Sequence, residues 1–130
     1  MPRLFTVEEA EALIPELTEI LLELRKRSRE LERIRSDLSI AARRARGNGH
    51  VAEGAPGSSR RRAEELVAEI NRLHARILAL GCELKGIEEG LIDFPAEREG
   101  RTVYLCWRLG EPGISWWHEL DAGFAGRQPL

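Results

Sequence analysis

The sequence has little of what would mark it as a secreted, membrane or redox protein. Its 130 residues include only two cysteines, Cys82 and Cys106, which are too few for a disulfide scaffold and show no CxxC spacing. No stretch approaches the roughly 18 consecutive apolar residues of a membrane-spanning helix. The first residues also lack the apolar segment of a signal peptide. We therefore expect a single-domain cytoplasmic protein with reduced thiols and no membrane association.

Aromatic residues are also few, and their distribution divides the chain. Of the seven Phe, Trp and Tyr residues, only Phe5 precedes residue 90. Residues 1–80 carry 15 basic and 13 acidic side chains, whereas residues 81–130 carry 5 and 9, for local net charges of +2 and −4. A first segment rich in Glu, Arg and Leu is thus joined to an aromatic second segment. We expect an α+β protein, with residues 1–80 helical and residues 81–130 forming a small β-rich unit.

The first residues carry the signals of a helix start. Thr6 and Glu9 have the spacing of a capping box, in which each side chain bonds a backbone amide of the other residue. Pro15 removes one backbone donor and clashes with the preceding turn. It predicts either a kink or a short helix over about 7–13 followed by a long helix with Pro15 in its first turn.

Two longer runs of apolar residues have heptad spacing. Within each run the apolar positions recur in steps of three and four. Gly81 follows the second run, where a glycine commonly ends a helix. Residues 47–58 between them are rich in turn formers and form the predicted loop. A long antiparallel, coiled-coil-like helical hairpin is the expected result, and because a narrow apolar seam buries little, we expect a homodimer through the helices. The seam positions are Leu17, Ile20, Leu24, Leu31, Ile34, Leu38, Ala41, Ala63, Leu66, Ile70, Leu73, Ile77 and Leu80.

Arginines cluster beside the predicted loop. Only Glu53 opposes them, so the local charge is about +5, which suits contact with nucleic-acid phosphates. A solvated helix end is the alternative, since no aromatic side chain interleaves the arginines for base stacking. We do not expect nucleic acid to be the main partner. These residues are Arg43, Arg44, Arg46, Arg60, Arg61 and Arg62.

After Gly81 the apolar pattern changes to period two. Residues 82–85, 91–96 and 102–109 are the predicted strands, separated by turns over 86–90 and 97–101. The last two strands form an antiparallel hairpin, with Pro95 at a strand end or edge where its missing donor is harmless. Residues 110–130 contain two adjacent tryptophans, and we expect them to fold back over the sheet rather than fray.

Several of these segments together resemble a known family. They are Gly-Cys-Glu-Leu-Lys from Gly81, Gly-Leu-Ile-Asp-Phe-Pro from Gly90, Val-Tyr-Leu-Cys-Trp-Arg-Leu-Gly-Glu from Val103, and Trp-His-Glu-Leu-Asp-Ala-Gly-Phe-Ala-Gly-Arg-Gln from Trp117. With the opening Phe-Thr-Val-Glu-Glu-Ala and Leu-Ile-Pro-Glu-Leu, they are similar to a bacterial and archaeal family catalogued only as domain of unknown function 2203. The resemblance covers essentially the whole chain. It supports the architecture and implies no activity, substrate or cofactor.

Candidate chemistry is concentrated in residues 93–127. Histidine, carboxylate and thiolate are the ligands of zinc, iron and manganese, so Glu111, His118, Asp121 and Cys106 are the predicted ligands of a divalent transition metal. If residues 116–121 are helical, His118 and Asp121 share a face. No HExxH motif, nucleophile elbow or glycine-rich phosphate loop is present.

Each of these residues also has a structural interpretation. His118 could be a hydrogen-bonding histidine beside the tryptophans, and Cys106 a small buried apolar residue. Asp93 is either a partner of Arg108 or Arg127 or a functional carboxylate, and Arg127 either binds an anion or pins the tail. The other candidate site residues are Asp93, Glu119, Arg127 and Trp117.

Three functional hypotheses follow. The first is an oligomeric scaffold or interaction protein built on the helical hairpin. The second is a metal- or small-ligand-binding protein, with or without enzymatic activity, whose site lies in residues 93–127. The third is nucleic-acid contact through the arginines beside the loop. The sequence does not identify a substrate.

Overall fold

The computed structural model describes residues 3–48 and 56–130. Its contacts divide the chain into two compact units. The first contains the residues up to Arg25 together with Leu73–Leu130, and the second the described residues between Lys26 and Arg72. Helices followed by a small antiparallel sheet confirm the α+β class. That the chain is one domain, and that its helices form a hairpin, stay predictions.

The start of the chain folds as one of the two predicted alternatives. Helix α1 spans Val7–Ala12, and helix α2 begins at Ile14 with Pro15 in its first turn, where a proline loses no helical hydrogen bond. The capping box is present, since the Glu9 amide donates to Thr6 Oγ1 at 3.1 Å and the Thr6 amide to Glu9 Oε1 at 2.8 Å.

The two long helices extend further than the sequence predicts. Helix α2 spans Ile14–Asn48 and helix α3 spans Pro56–Leu80, so both ends of the predicted loop 47–58 are helical, and residues 49–55 lie outside the described part of the chain. Pro56 begins α3, a position that needs no backbone donor. The predicted seam positions are all buried or half-buried, which confirms the apolar face of each helix.

Ionic contacts link the two helices within the second unit. Arg62 Nε lies 2.9 Å from Glu30 Oε2, and Arg27 Nε lies 3.2 Å from Glu69 Oε2. Among the described residues of this unit, Leu31 and Leu66 are buried, and the other predicted seam positions are half-buried.

The sheet has five antiparallel strands in chain order: β1 (Glu83–Gly86), β2 (Leu91–Arg98), β3 (Arg101–Arg108), β4 (Trp116–His118) and β5 (Gln128–Pro129). The predicted turn over 97–101 is wrong in length, because only Glu99 and Gly100 separate β2 from β3. Both residues have positive φ, 51° and 77°, as a two-residue hairpin turn requires. Its length aligns Asp93 with Cys106 across the pair.

Pro95 lies inside β2 rather than at its end. Its position is nevertheless edge-like, because β1 pairs with β2 only as far as Asp93. Beyond that point the carbonyl of Pro95 accepts the amide of Phe5 at 2.7 Å. The missing proline donor therefore costs no ladder bond.

Residues 116–121 are not helical, which corrects the premise for placing His118 and Asp121 on one face. Trp116–His118 instead pairs with β3 as strand β4, and Gln128–Pro129 pairs with β4. The C-terminal segment thus adds two strands to the edge of the sheet instead of covering a face. Its aromatic residues alternate between the two faces, as strand residues do. A short 3₁₀ turn, Phe124–Gly126, connects β4 to β5.

The two faces of the sheet differ in chemistry. One face carries apolar side chains from three strands, including Phe94, Leu105 and Trp107, and the ring of Phe5 packs edge-on against Phe94 at 5.2 Å between centroids. The other face carries Asp93, Cys106 and His118. The apolar face joins the core of the first unit, and the polar face holds the candidate site.

Candidate metal centre

Three neighbouring strands each contribute one possible metal ligand to the polar face of the sheet. Asp93 on β2 lies opposite Cys106 on β3, and His118 on β4 lies opposite Tyr104, two residues before Cys106. The ligand atoms of Asp93, Cys106 and His118 all lie within 4.8 Å of one another, and all three residues are buried. Among the described residues, this is the group with the composition and spacing of a metal site.

The hydrogen bonds of His118 fix its tautomer. Its Nδ1 atom lies 2.7 Å from the carbonyl oxygen of Glu119, and because a carbonyl only accepts, Nδ1 carries the proton. The Nε2 atom lies 3.0 Å from Oδ1 of Asp93. An unprotonated Nε2 and an ionised carboxylate are both acceptors, so this contact requires either a shared proton or a bound cation.

Burial dominates the electrostatics of the site. His118 and Asp93 are each 2% exposed. Burial raises the pKa of the Asp93 carboxyl, although the neighbouring His118 opposes the shift. Burial, together with the charge of Asp93, raises the pKa of the Cys106 thiol to about 12. Without a cation Cys106 is therefore a neutral thiol at physiological pH.

The arrangement does not suit a nucleophilic triad. In such a triad one histidine nitrogen faces the nucleophile and the other faces the orienting carboxylate. Here the Glu119 carbonyl occupies Nδ1, and Asp93 occupies the only other ring nitrogen of His118. The raised pKa of Cys106 argues against an activated thiolate as well.

A cavity of about 240 Å³ adjoins the three residues on the same face. Besides these three residues, the cavity is walled by Lys85 and by apolar groups from the strands and from the segment after β4. The lining residues are Lys85, Leu91, Asp93, Cys106, His118, Leu120, Gly123 and Phe124.

Arg127 and Glu111 form a polar contact next to Cys106 on the same face of the sheet. Arg127 Nη2 lies 2.6 Å from Glu111 Oε1 and donates to the carbonyl of Cys106 at 3.1 Å. Its guanidinium lies 5.2 Å from the ring centre of Trp116 and 4.6 Å from that of Phe124. These contacts tie the C-terminal segment to β3, and the sequence leaves anion binding open as the other role of Arg127. They also engage Glu111, which is outside the group of Asp93, Cys106 and His118.

The side chains of three further predicted site residues lie outside the group of Asp93, Cys106 and His118. Asp121 is exposed in the turn after β4 and is outside the metal-site group. The Glu119 carboxylate accepts from Arg101 Nε at 2.8 Å, so only its backbone carbonyl serves the site. Trp117 alternates to the opposite face, where the guanidinium of Arg98 lies 4.5 Å from its ring centre.

The partner predicted for Asp93 is also different. Neither Arg108 nor Arg127 bonds its carboxylate, and His118 does. Strand register explains this partner. Because β3 pairs with both β2 and β4, the imidazole of His118 on β4 reaches the carboxylate of Asp93 on β2.

The arginines on either side of residues 49–55 have unequal surroundings. Arg62 is engaged by Glu30, Glu65 and Glu69. The other five, Arg43, Arg44, Arg46, Arg60 and Arg61, are exposed. Contact with nucleic acid stays a prediction.

Sequence reasoning missed several residues around the site. Lys85, Leu91, Leu120 and Phe124 line the cavity, and the ring of Tyr104 lies 5.5 Å from that of His118. Period-two alternation in β2 and β3 could have assigned Leu91 to the face of Asp93. Lys85, Leu120 and Phe124 carry no such signal, because turns and an irregular pairing position them.

The chain matches, over residues 3–130, a family described as an uncharacterised conserved protein, DUF2203. It belongs to this DUF2203 family. The resemblance noted in the sequence is thereby confirmed, and the match includes all three residues of the candidate centre. No curated protein and no solved structure matches the chain. In the part that the structure describes, no helix has the length and apolar character to cross a membrane.

Proposed function

We propose that this DUF2203 chain is a divalent transition-metal-binding protein whose ligands are Asp93, Cys106 and His118. The observation that carries the proposal is the burial of these three potential ligands within 4.8 Å of one another on adjacent strands. Ionisable side chains gathered in a buried position beside a cavity are typical of functional sites.

The contact between His118 and Asp93 supports this assignment. Nδ1 of His118 donates to a backbone carbonyl, the arrangement that orients most metal-binding histidines and leaves Nε2 free for the ion. Nε2 lies 3.0 Å from the Asp93 carboxylate oxygen. Two ligands bound to one tetrahedral zinc ion at about 2.0–2.1 Å are separated by roughly 3.3 Å, so the pair needs little movement to accept it.

The thiol of Cys106 narrows the choice of metal ion. Thiolate ligands favour zinc and iron over magnesium, calcium and manganese, and zinc accepts nitrogen, oxygen and sulfur ligands together. A bound cation would lower the pKa of Cys106, which burial otherwise raises to about 12. We therefore propose zinc as the first candidate ion, and a reducing compartment such as the cytoplasm as the setting that keeps the thiol available.

Three protein ligands leave one coordination position for water or a small molecule. Among the described residues, the group has no fourth His, Cys, Asp or Glu. Three protein ligands with an open position are typical of zinc sites that bind or activate another molecule, whereas structural zinc sites have four protein ligands. The cavity beside the three residues provides the space for such a molecule.

Metal analysis of the full chain, purified without tag or chelator and then titrated with zinc and cobalt, tests the proposal. We expect about one ion per chain, and a thiolate-to-cobalt charge-transfer band that Cys106→Ser abolishes. His118→Gln and Asp93→Asn should each weaken binding by about 10- to 100-fold or more.

Two variants provide matched controls. Cys82 is equally buried but lies outside the group, with its thiol 3.5 Å from the Ile77 carbonyl, and His74 lies on α3. Cys82→Ser and His74→Gln should retain the parent affinity. A chain that takes up neither ion, while remaining folded by circular dichroism, would contradict the proposal, and so would binding that survives all three ligand substitutions.

A second proposal concerns the helices: we propose that they mediate self-association. Leu22 on α2 and Leu78 on α3 are 52% and 55% exposed, and both flank the apolar seam of the first unit. Covering such side chains is a common reason for homodimers. Sedimentation equilibrium should give a dimer that the double variant Leu22→Lys, Leu78→Lys dissociates. A parent monomer at all accessible concentrations would overturn this proposal.

A further inference from the structure

The cavity beside Asp93, Cys106 and His118 has walls that specify the chemistry of a ligand. We propose that it binds a small organic monocarboxylate with a short apolar body, whose carboxylate takes the open metal position. This inference rests on the proposed metal site and names the class of molecule that the site binds.

A cationic side chain lines the cavity and is the group that would meet an anionic ligand. The Asp93 carboxylate and a metal-bound Cys106 thiolate together offset the two charges of a divalent ion, so the centre itself would be neutral. Of the described residues that line the cavity, Lys85 is then the remaining ionisable group. Its ammonium lies 3.2 Å from Glu83 at the surface and 4.8 Å from the ring centre of Tyr104. A half-exposed lysine of this kind can turn toward a carboxylate at the metal.

The apolar walls favour a ligand with a hydrocarbon body. Leu91, Leu120 and Phe124 line the cavity, and the last two are 54% and 40% exposed. Large apolar side chains left open around a polar centre are typical of ligand-binding sites. A ligand body in contact with them would remove this surface from water.

The volume limits the ligand's size. An apolar cavity of about 150 Å³ holds one benzene molecule. The 240 Å³ beside the candidate centre therefore has room for one ring, or a short alkyl chain, together with a carboxylate.

Titration of the cobalt-loaded full chain with benzoate, benzamide and acetate tests the inference. Benzamide has the shape of benzoate without its charge, and acetate has the charge without the ring. We expect benzoate to change the visible cobalt spectrum saturably, with at least about tenfold tighter binding than acetate and no comparable effect of benzamide.

Two lysine variants separate a specific role of Lys85 from a general loss of positive charge. Lys85→Met should weaken benzoate binding about fivefold, in the range of one exposed ion pair, and leave the cobalt affinity unchanged. Lys26→Met, on the second unit, should leave both affinities unchanged.

The outcomes distinguish this inference from the proposal beneath it. A chain that binds cobalt with the Cys106 charge-transfer band, but responds equally or not at all to benzoate and benzamide, would overturn the ligand assignment and leave the metal site standing. Benzoate binding unaffected by Lys85→Met would also overturn it. A chain that binds no cobalt would overturn both.

Discussion

The pair formed by Asp93 and His118 allows a test of whether these residues serve stability or function. Both are buried, and their side chains meet at 3.0 Å. If the pair exists for a functional reason, replacing both residues by leucine should cost far less stability than replacing either one. A buried ionisable pair exchanged for apolar side chains is often neutral or stabilising, whereas breaking it leaves one group unpaired.

The two single variants should differ in cost. In Asp93→Leu the imidazole loses its partner at Nε2 and is left with an unsatisfied buried polar atom, which costs about 1–3 kcal/mol. In His118→Leu a carboxylate is left buried and unpaired, which costs about 3–5 kcal/mol at neutral pH. The double variant should lie within about 1 kcal/mol of the parent, apart from the cost of fitting the larger leucine at position 93.

Protonation gives this prediction a second signature. Burial already raises the pKa of Asp93 above its ordinary 3.8, and removing the imidazole should raise it further. A carboxyl whose pKa is raised by folding favours the folded state at low pH, and this contribution is lost as the pH rises through the folded pKa. The deficit of His118→Leu should therefore shrink on acidification.

Urea unfolding in the presence of a chelator measures these free energies, with the fluorescence of the three tryptophans as the signal. If a single variant fails to fold, recovery of a cooperative transition in the double variant still provides the comparison. Additive losses, with the double variant less stable than either single one, would refute the reasoning and make the pair a structural element.

Further predictions concern residues outside the metal site. Glu99 has a φ of 51°, so Glu99→Asn should raise the free energy of unfolding by about 0.5–1 kcal/mol in urea, and a loss would contradict the assigned turn. Thr6→Ala removes the capping oxygen and should lower the free energy of unfolding by about 1 kcal/mol. An unchanged free energy in thermal unfolding would mean that this cap does not stabilise the helix. The hydrogen bond to Glu83, with burial, raises the pKa of Tyr104 to about 12, so Glu83→Gln should move an ultraviolet titration toward 10. Because folding favours the neutral phenol, this residue's stability contribution should also fall as the pH rises above 10. Cys82 is buried and its pKa is raised to about 11, so it should resist alkylation at pH 8 until the chain unfolds, and rapid labelling of the native chain would be inconsistent with its position.

The helices show which structural features local sequence patterns predict. The capping box at Thr6, the helix start around Pro15 and the buried faces of α2 and α3 all follow from spacing alone, because each depends on residues within one or two turns. The C-terminal end of α2 and the start of α3 do not follow from local spacing, since glycines near a helix end weaken a helix without forbidding it.

Residue types at the site were visible in the sequence, but their grouping was not. The sequence predicts Cys106 and His118 as ligands and offers Asp93 only as a further candidate. Closeness in sequence to His118 favours Glu111 and Asp121 instead. The strand β4 removed the helical spacing on which Asp121 depended, and Arg127 engages Glu111.

The sequence by itself determined that this chain has amphipathic helices, period-two strands and ionisable residues among aromatics, because these patterns arise from local geometry. Tertiary structure alone decided which ionisable residues meet. A hairpin turn one residue longer or shorter would send Cys106 to the face opposite Asp93, and only the two-residue turn at Glu99 and Gly100 aligns them. Long-range pairing of β3 with β4 then brings in His118 from 25 residues away. The site depends on strand register, which the hairpin turn sets between β2 and β3 and long-range pairing sets between β3 and β4.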